Sequence, residues 1–360
     1  MVVRIFPKSS RIILEKSLNK MQRYTSIDLF SGAGGMSEGL RQAHFNTKLA
    51  FEIDATASMT YKLNHPKTYV YTQDIRSIDL TDVIRKLHGR TLHLLAGCPP
   101  CQGFSSMRRL NRNKPVEDER NSLINEYVRF VDELQPYTIM LENVPGLAMS
   151  EDFHKAVQHL RGRYNIDYQI VNVREYGVPQ SRKRLVMVGS RLAPIQVAPP
   201  TNIKTTVRDI IEKLPAPEES NDAVHQILPH HIARIQQLIL QIPQNGGSLR
   251  DLGEEWQLEC HRASNVGFND VYGRLRWDDY STTITGGCLN PSKGRFLHPE
   301  QNRCISAREA SMLQTFPEDY IFPTNVAKTK IALMIGNALP PLFCKIQAEN
   351  IREHLNKYLH

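Results

Sequence analysis

The sequence predicts an α/β chain built on a doubly wound, mostly parallel sheet, followed by a smaller loop-rich part. Three observations carry that prediction. Short β-rich runs alternate with stretches of helical period from Tyr24 to about residue 190. A glycine-rich turn, Ser31-Gly32-Ala33-Gly34-Gly35, directly follows the first of those runs. The rhythm then stops after Ser190, where Pro194, Pro199, Pro200, Pro215 and Pro217 crowd together and the turn Gln244-Asn245-Gly246-Gly247 follows.

Taken in order, Tyr24 to Phe30 is the first strand candidate, and Met36, Leu40 and Ala43 fall on one face of the helix after it. Lys48 to Ile53 reads as the second strand, with a helical stretch running through Tyr61. Tyr69-Val70-Tyr71 is the third and, after another helical segment, Leu92 to Ala96 the fourth. Leu123, Tyr127, Val128, Val131 and Leu134 recur at three-to-four spacing and predict an amphipathic helix closing at Pro136. Thr138 to Glu142, Tyr168 to Val173 and Leu185 to Val188 complete the strands. Helical signals return at Ala307 to Leu313 and after Pro341. Residues 1–22 mix Arg and Lys with Ile12, Ile13, Leu14 and Leu18 and read as an N-terminal arm. The predicted division is therefore an arm (1–22), an α/β domain (23–190), a loop-rich domain (191–290) and a C-terminal segment (291–360).

A chain of 360 residues that is 41% hydrophobic and 23% charged is globular rather than disordered. No apolar run approaches the ~20 residues of a membrane span, and the first residues lack the pattern of a signal peptide. The cytoplasm is expected, with no membrane partner. Six scattered cysteines suit a reducing compartment. The net charge of +8 points weakly toward a polyanion.

Two stretches bear chemistry. Gly97-Cys98-Pro99-Pro100-Cys101-Gln102-Gly103 follows the fourth strand and mounts thiols on a rigid turn. Its Cys-x-x-Cys spacing admits a redox pair, half of a zinc site or a single nucleophile. A zinc site needs four ligands, yet Cys260, Cys288, Cys304 and Cys344 stand singly. His225, His230 and His231 likewise lack companion ligands, so no metal is expected. The second stretch is the glycine turn, placed where an α/β sheet binds a nucleotide-like cofactor. The third glycine of a dinucleotide fingerprint would fall at Ser37, which departs from the pyrophosphate-cradling pattern. Glu52, twenty residues after Gly32, could accept from ribose hydroxyls, and Asp74 from an adenine amine. Such an acid-lined pocket suits cationic S-adenosyl-L-methionine better than NAD.

The ordered set Asp28-Leu29-Phe30-Ser31-Gly32-Ala33-Gly34-Gly35, Glu52, Asp74, Pro99-Pro100-Cys101-Gln102-Gly103, Glu142-Asn143-Val144, Gln180-Ser181-Arg182-Lys183-Arg184 and Gly336-Asn337-Ala338-Leu339-Pro340-Pro341 resembles the DNA (cytosine-5) methyltransferases of prokaryotic restriction–modification systems. Leu339 stands where valine is commoner in that family. The resemblance implies an S-adenosylmethionine-dependent, Rossmann-like fold acting on double-stranded DNA. It implies Cys101 as the nucleophile toward C6 of a flipped cytosine, Glu142 as the group at N3 and the exocyclic amine, and Arg182 and Arg184 as anchors of the base and backbone. Phe30, Gly32, Gly34, Glu52, Asp74, Ile75, Pro100, Leu123 and Asn337 are implied for the cofactor. Arg108, Arg109, Arg112 and Lys114 suit a loop closing over phosphates, and Arg274, Arg276 and Thr283 are read as structural or phosphate contacts. A monomer is expected, with a cognate restriction endonuclease as a possible partner. A branch of the family methylates transfer RNA, but its Cys-Phe-Thr signature occurs nowhere here. A non-catalytic binding protein of the same fold would have lost Cys101 or Glu142, and both are present.

Overall fold

The computed structural model describes residues 24–100, 123–256 and 270–359. The arm 1–22, Cys101, Cys260 and the basic run from Ser105 to Lys114 lie outside the described residues. The core is a seven-stranded sheet of β1 (Thr25–Leu29), β2 (Asn46–Phe51), β3 (Tyr69–Tyr71), β4 (Leu94–Gly97), β5 (Thr138–Asn143), β6 (Asn165–Asn172) and β7 (Lys183–Ser190) in the order β3-β2-β1-β4-β5-β7-β6. The first five strands of that order pair in parallel, and β7 runs antiparallel to both β5 and β6. Every residue of β1, β4 and β5 is buried, as a sheet covered on both faces requires.

The flanking helices are α1 (Gly35–Gln42), α2 (Ala55–Asn64), α3 (Leu80–Leu87), α4 (Leu123–Leu134) and α5 (Glu151–Leu160). Their starts are set by local chemistry: Asp54 caps α2 by accepting from the Thr56 and Ala57 amides, and Ser150 caps α5 through the Phe153 amide. One face of the sheet packs Ile27, Leu29, Phe51, Leu95 and Leu141 against Tyr127, Phe130 and Phe153. The other packs Met36, Leu40, Met140 and Val186 against Phe343 and Ile351.

After β7 come α6 (Val207–Ile211), α7 (Ala233–Gln241), α8 (Ala307–Leu313), α9 (Lys328–Asn337) and α10 (Pro341–Leu359). A second apolar core joins Val207, Trp277, Ile284, Phe296, Leu313 and Ile335, drawing on residues either side of position 290. The Ser306–Glu309 capping box opens α8, and Arg303 neutralises the buried Glu309 carboxylate. By length and apolarity the stretch Lys328–Leu359 could pass for a membrane span, but 67% of its most apolar window is buried within the protein. Its chain breaks at Ala338–Pro340, and α10 folds back onto α1.

That return packing is close. The Cys344 thiol contacts the Met36 carbonyl at 3.2 Å, and a methyl group at Gly39 would sit 2.5 Å from both Cys344 Cβ and the Pro341 carbonyl. Gly39→Ala should therefore force α1 and α10 apart and lower unfolding stability by about 1–3 kcal/mol, the usual scale of overpacking. Denaturant melts check this, and wild-type stability in the variant would refute the contact.

Candidate active site at the carboxyl edge of the sheet

Open α/β sheets bind ligands beyond the carboxyl ends of their strands, where the strand order reverses. Here the reversal lies between β1 and β4, since β2 is reached from β1 on one side and β4 on the other. A cleft of about 1370 Å³ opens there, lined by Phe30, Gly32, Glu52, Asp74, Ile75, Pro100, Leu123, Glu142, Arg182, Arg184 and Asn337. Eleven of the thirteen predicted site residues thus meet in one place. Cys101 follows Pro100 directly but lies outside the described residues. Gly34 lies outside the lining: it is the left-handed N-cap of α1, with φ of 98°, and a Cβ there would meet the Tyr320 hydroxyl at 2.6 Å. The cleft exceeds the ~300–1,000 Å³ of a pocket for one small ligand, so it has room for two reactants side by side.

One end of the cleft is built by the glycine turn. Phe30 adopts φ of 59°, an uncommon conformation for a side chain of that size, which turns the chain sharply out of β1. The Ser31 amide then donates to the Phe51 carbonyl at 2.9 Å, and the Gly32 amide to Glu52 Oε2 at 2.8 Å. Glu52 Oε1 accepts from the Asp54 amide at 2.7 Å, and burial raises the pKa of this carboxyl. No atom lies within 4 Å of where a Cβ of Gly32 would point, which leaves a cradle open beside the carboxylate. Asp74 is engaged by its neighbour: both its oxygens take Arg76, Nη2 at 2.6 Å, and the bond lowers its pKa. Phe30, Ile75, Pro100 and Leu123 supply apolar surface between the two acids. Carboxylates for hydroxyls and an amine, with flat apolar walls, fit a nucleoside carrying positive charge.

The other end is built by strand register. Gly97 pairs with Leu141, so Cys98 and Glu142 come next to each other at the ends of β4 and β5. Because β7 is antiparallel to β5, its beginning rather than its end reaches this edge, with Val186 opposite Glu142 and Arg184 two residues beyond. Arg184 Nε lies 2.7 Å from Glu142 Oε1 as a close ion pair. Asn143 donates to the Pro99 carbonyl at 2.8 Å and holds the Pro99-Pro100 turn against β5. Cys98 is half-buried against Glu142, and burial with that negative neighbour pushes its thiol pKa well up, so it stays protonated.

Arg182 does something different from Arg184. Its guanidinium is buried and donates to the carbonyls of Ile284 (2.9 Å), Gly336 (3.0 Å) and Ala338 (3.2 Å). It ties the sheet to the segment bearing Asn337. Thr283 donates to the Ser181 carbonyl at 2.7 Å. Arg274 is also buried, donating to the carbonyls of Ile239, Ile242, His298 and Gln301, which makes it a structural residue; Arg276 is largely exposed near Asp279. His225 bridges Ser306 and the Pro215 carbonyl. Among lining residues that sequence patterns did not single out are Arg76, Lys330 and Met334. Arg76 had a possible signal in standing two residues after an aspartate that caps a turn.

A family model described as C-5 cytosine-specific DNA methylase matches residues 24–353. The chain is 34% identical to the type II methylase M.HgiDII of Herpetosiphon aurantiacus over 343 residues, 91% of this chain and 95% of that one. It is 32% identical to the type II methyltransferase M1.HphI of Haemophilus parahaemolyticus, covering 95% and 90%. Among solved structures, a prophage-encoded DNA modification methyltransferase of Escherichia coli superposes with a TM-score of 0.71 at 25% identity, covering 92% and 99%. A DNMT2 of Spodoptera frugiperda, at 18% identity and a TM-score of 0.60, shares the fold.

Beneath the glycine turn, Asp28 is fully buried at the end of β1. Ser37 donates to its Oδ2 at 2.6 Å, while Oδ1 has no hydrogen-bond partner. Burial raises its pKa to about 7 from 3.8. The folded protein then holds this proton where the unfolded chain has lost it, so Asp28 contributes stability that is fully present below about pH 4 and declines as pH rises through about 7. Unfolding titrations of Asp28→Asn should show a shallower loss of stability between about pH 4 and 7 than wild type. Parallel pH profiles would count against the buried proton.

Proposed function

The chain belongs to the C-5 cytosine-specific DNA methylase family, and from that premise we propose how its cleft carries out cytosine methylation. The enzyme is a DNA (cytosine-5)-methyltransferase, of the kind named type II among its relatives. The methyl donor of the proposal is S-adenosylmethionine, with Phe30, Gly32, Glu52, Asp74, Ile75, Pro100, Leu123 and Asn337 as the residues that hold it. When bound, it supplies an electrophilic methyl group on a sulfonium.

The acceptor presents a harder problem, because C5 of cytosine is a poor nucleophile and the base is stacked and paired in the duplex. Flipping brings the base out of the stack and into the cleft. Cys101, carried on the Pro99-Pro100 turn that Asn143 anchors, adds through its thiolate to C6 and makes C5 enamine-like. Glu142 meets N3 and the exocyclic amine and holds charge as the thiolate adds, with Arg184 beside it. With the methyl group taken up by C5 and the donor left as its neutral thioether, loss of the C5 proton to solvent and expulsion of the Cys101 thiolate would restore the aromatic ring. Arg182 acts through the backbone it holds. Sequence reading is assigned to residues 191–290, whose loops would enter the major groove. The proposal extends to a cytoplasmic monomer that protects DNA against a cognate nuclease.

The observation that carries this reading is the placement of Glu142, Arg184 and the Pro99-Pro100 turn at one end of a cleft whose other end is the Gly32–Glu52 cradle. Incubation with methyl-labelled S-adenosylmethionine and mixed duplex DNA should label cytosine C5. Cys101→Ser should lose at least about a thousandfold in turnover, while Cys98→Ser, which alters a protonated thiol, should keep the same order of activity as wild type. Labelling that persists in Cys101→Ser would remove the nucleophile from this scheme. Bisulfite sequencing of DNA from expressing cells should show one short methylated site.

A further inference from the structure

The donor cradle is held from two sides, and only one of them faces the cleft. On the cleft side Glu52 takes the Gly32 amide. Behind the turn, the Tyr320 hydroxyl donates to the Ala33 carbonyl at 2.6 Å, across 287 positions of sequence. Both groups are buried. His65 Nε2 lies 3.3 Å from the same hydroxyl; burial lowers the His65 pKa to about 4, so the ring is neutral and can donate its Nε2 hydrogen to Tyr320. The tyrosine is itself held. Asn64 makes two 2.9 Å bonds to the main chain of Ile321, one to its amide and one to its carbonyl. Arg308, paired with Asp222, donates to the Tyr320 carbonyl at 2.9 Å, and the ring packs against Phe316 and Phe322.

We propose that Tyr320 is a positioning residue for the methyl donor: its hydroxyl fixes the Ala33 peptide and thereby the orientation of the Gly32 cradle. The inference rests on the assignment of that cradle to S-adenosylmethionine. Without the hydroxyl, the Ala33 carbonyl is left buried without its partner, and the peptide is free to rotate toward another. The two left-handed glycines on either side, Gly32 at φ 55° and Gly34 at φ 98°, permit such a rotation at low cost. Donor affinity should fall while the acceptor end of the cleft is untouched.

The test is steady-state kinetics of the full chain with S-adenosylmethionine and duplex DNA, together with calorimetry of S-adenosylhomocysteine. Tyr320→Phe keeps the ring packing and should raise the donor KM about tenfold, the loss expected from one buried hydrogen bond, with kcat and the DNA KM within about twofold. S-adenosylhomocysteine affinity should fall in parallel. A fall in kcat with donor KM unchanged would mean a smaller folded fraction and would overturn the inference, as would a variant indistinguishable from wild type. Asn64→Ala, which leaves the hydroxyl but releases Ile321, should raise the donor KM about threefold; it decides the question if Tyr320→Phe does not fold, and no rise there overturns the proposal. Wild-type protein that binds neither compound would overturn the donor assignment and this inference together, whereas binding equal in wild type and variants overturns the inference alone.

Discussion

The cleft depends on one buried guanidinium. Arg182 sits at the start of the antiparallel strand and donates to three carbonyls from the distant segments around Ile284 and Gly336 to Ala338. A buried arginine without partners is costly, and main-chain carbonyls take both Nη groups without introducing a second charge, while Nε has no hydrogen-bond partner among the described residues. The same bonds bring Asn337 to the cleft. They also fix how closely the chain may cross: a Cβ at Gly336 would lie about 2 Å from the backbone of Thr285 and Gly286. Gln314 and Gln180 extend the arrangement, bonding each other at 2.8 Å and reaching the Ile335 carbonyl and the Ile284 amide. The two halves of the chain are thus joined at the cleft.

The antiparallel placement of β7 is the second constraint. In a parallel seventh strand, Arg184 would emerge at the opposite edge of the sheet from Glu142. Reversal places the arginine and the carboxylate 2.7 Å apart. The parallel pairing of β4 with β5 then settles which residue of the Cys-Pro-Pro turn sits against that carboxylate. It is Cys98, whose thiol is held protonated there. The turn continues past it through Pro99 and Pro100, with Asn143 holding the Pro99 carbonyl, and Cys101, the proposed nucleophile, follows next in the chain.

Much of this was legible in the sequence because it is local or periodic. The five parallel strands follow from apolar runs separated by helical spacing. The glycine turn declares itself because Gly32 and Gly34 adopt positive φ. Motif order and spacing named eleven of the residues that line the cleft. What sequence could not show is long-range and orientational. Arg182 and Arg184 stand two residues apart in one motif, yet one points into backbone carbonyls and the other to Glu142. Gly34 belongs to the glycine motif but serves the packing of Tyr320 and His65. Tyr320 carries no motif and lies 287 residues from the carbonyl it holds. The core shared by Val207, Trp277 and Ile335 likewise arises from packing between residues far apart in the chain.

The central claim is that this cleft presents a single cysteine to C6 of an extrahelical cytosine. It is tested most directly by covalent trapping on duplex DNA whose target cytosine carries fluorine at C5, since fluorine cannot leave as a proton does and the thiol adduct persists. Mass spectrometry of the trapped complex should find the nucleotide bound to the peptide containing Cys101, at that residue and dependent on S-adenosylmethionine. An adduct at Cys98, or methyl transfer to unmodified DNA by a protein that yields no adduct on the fluorinated duplex, would contradict the account.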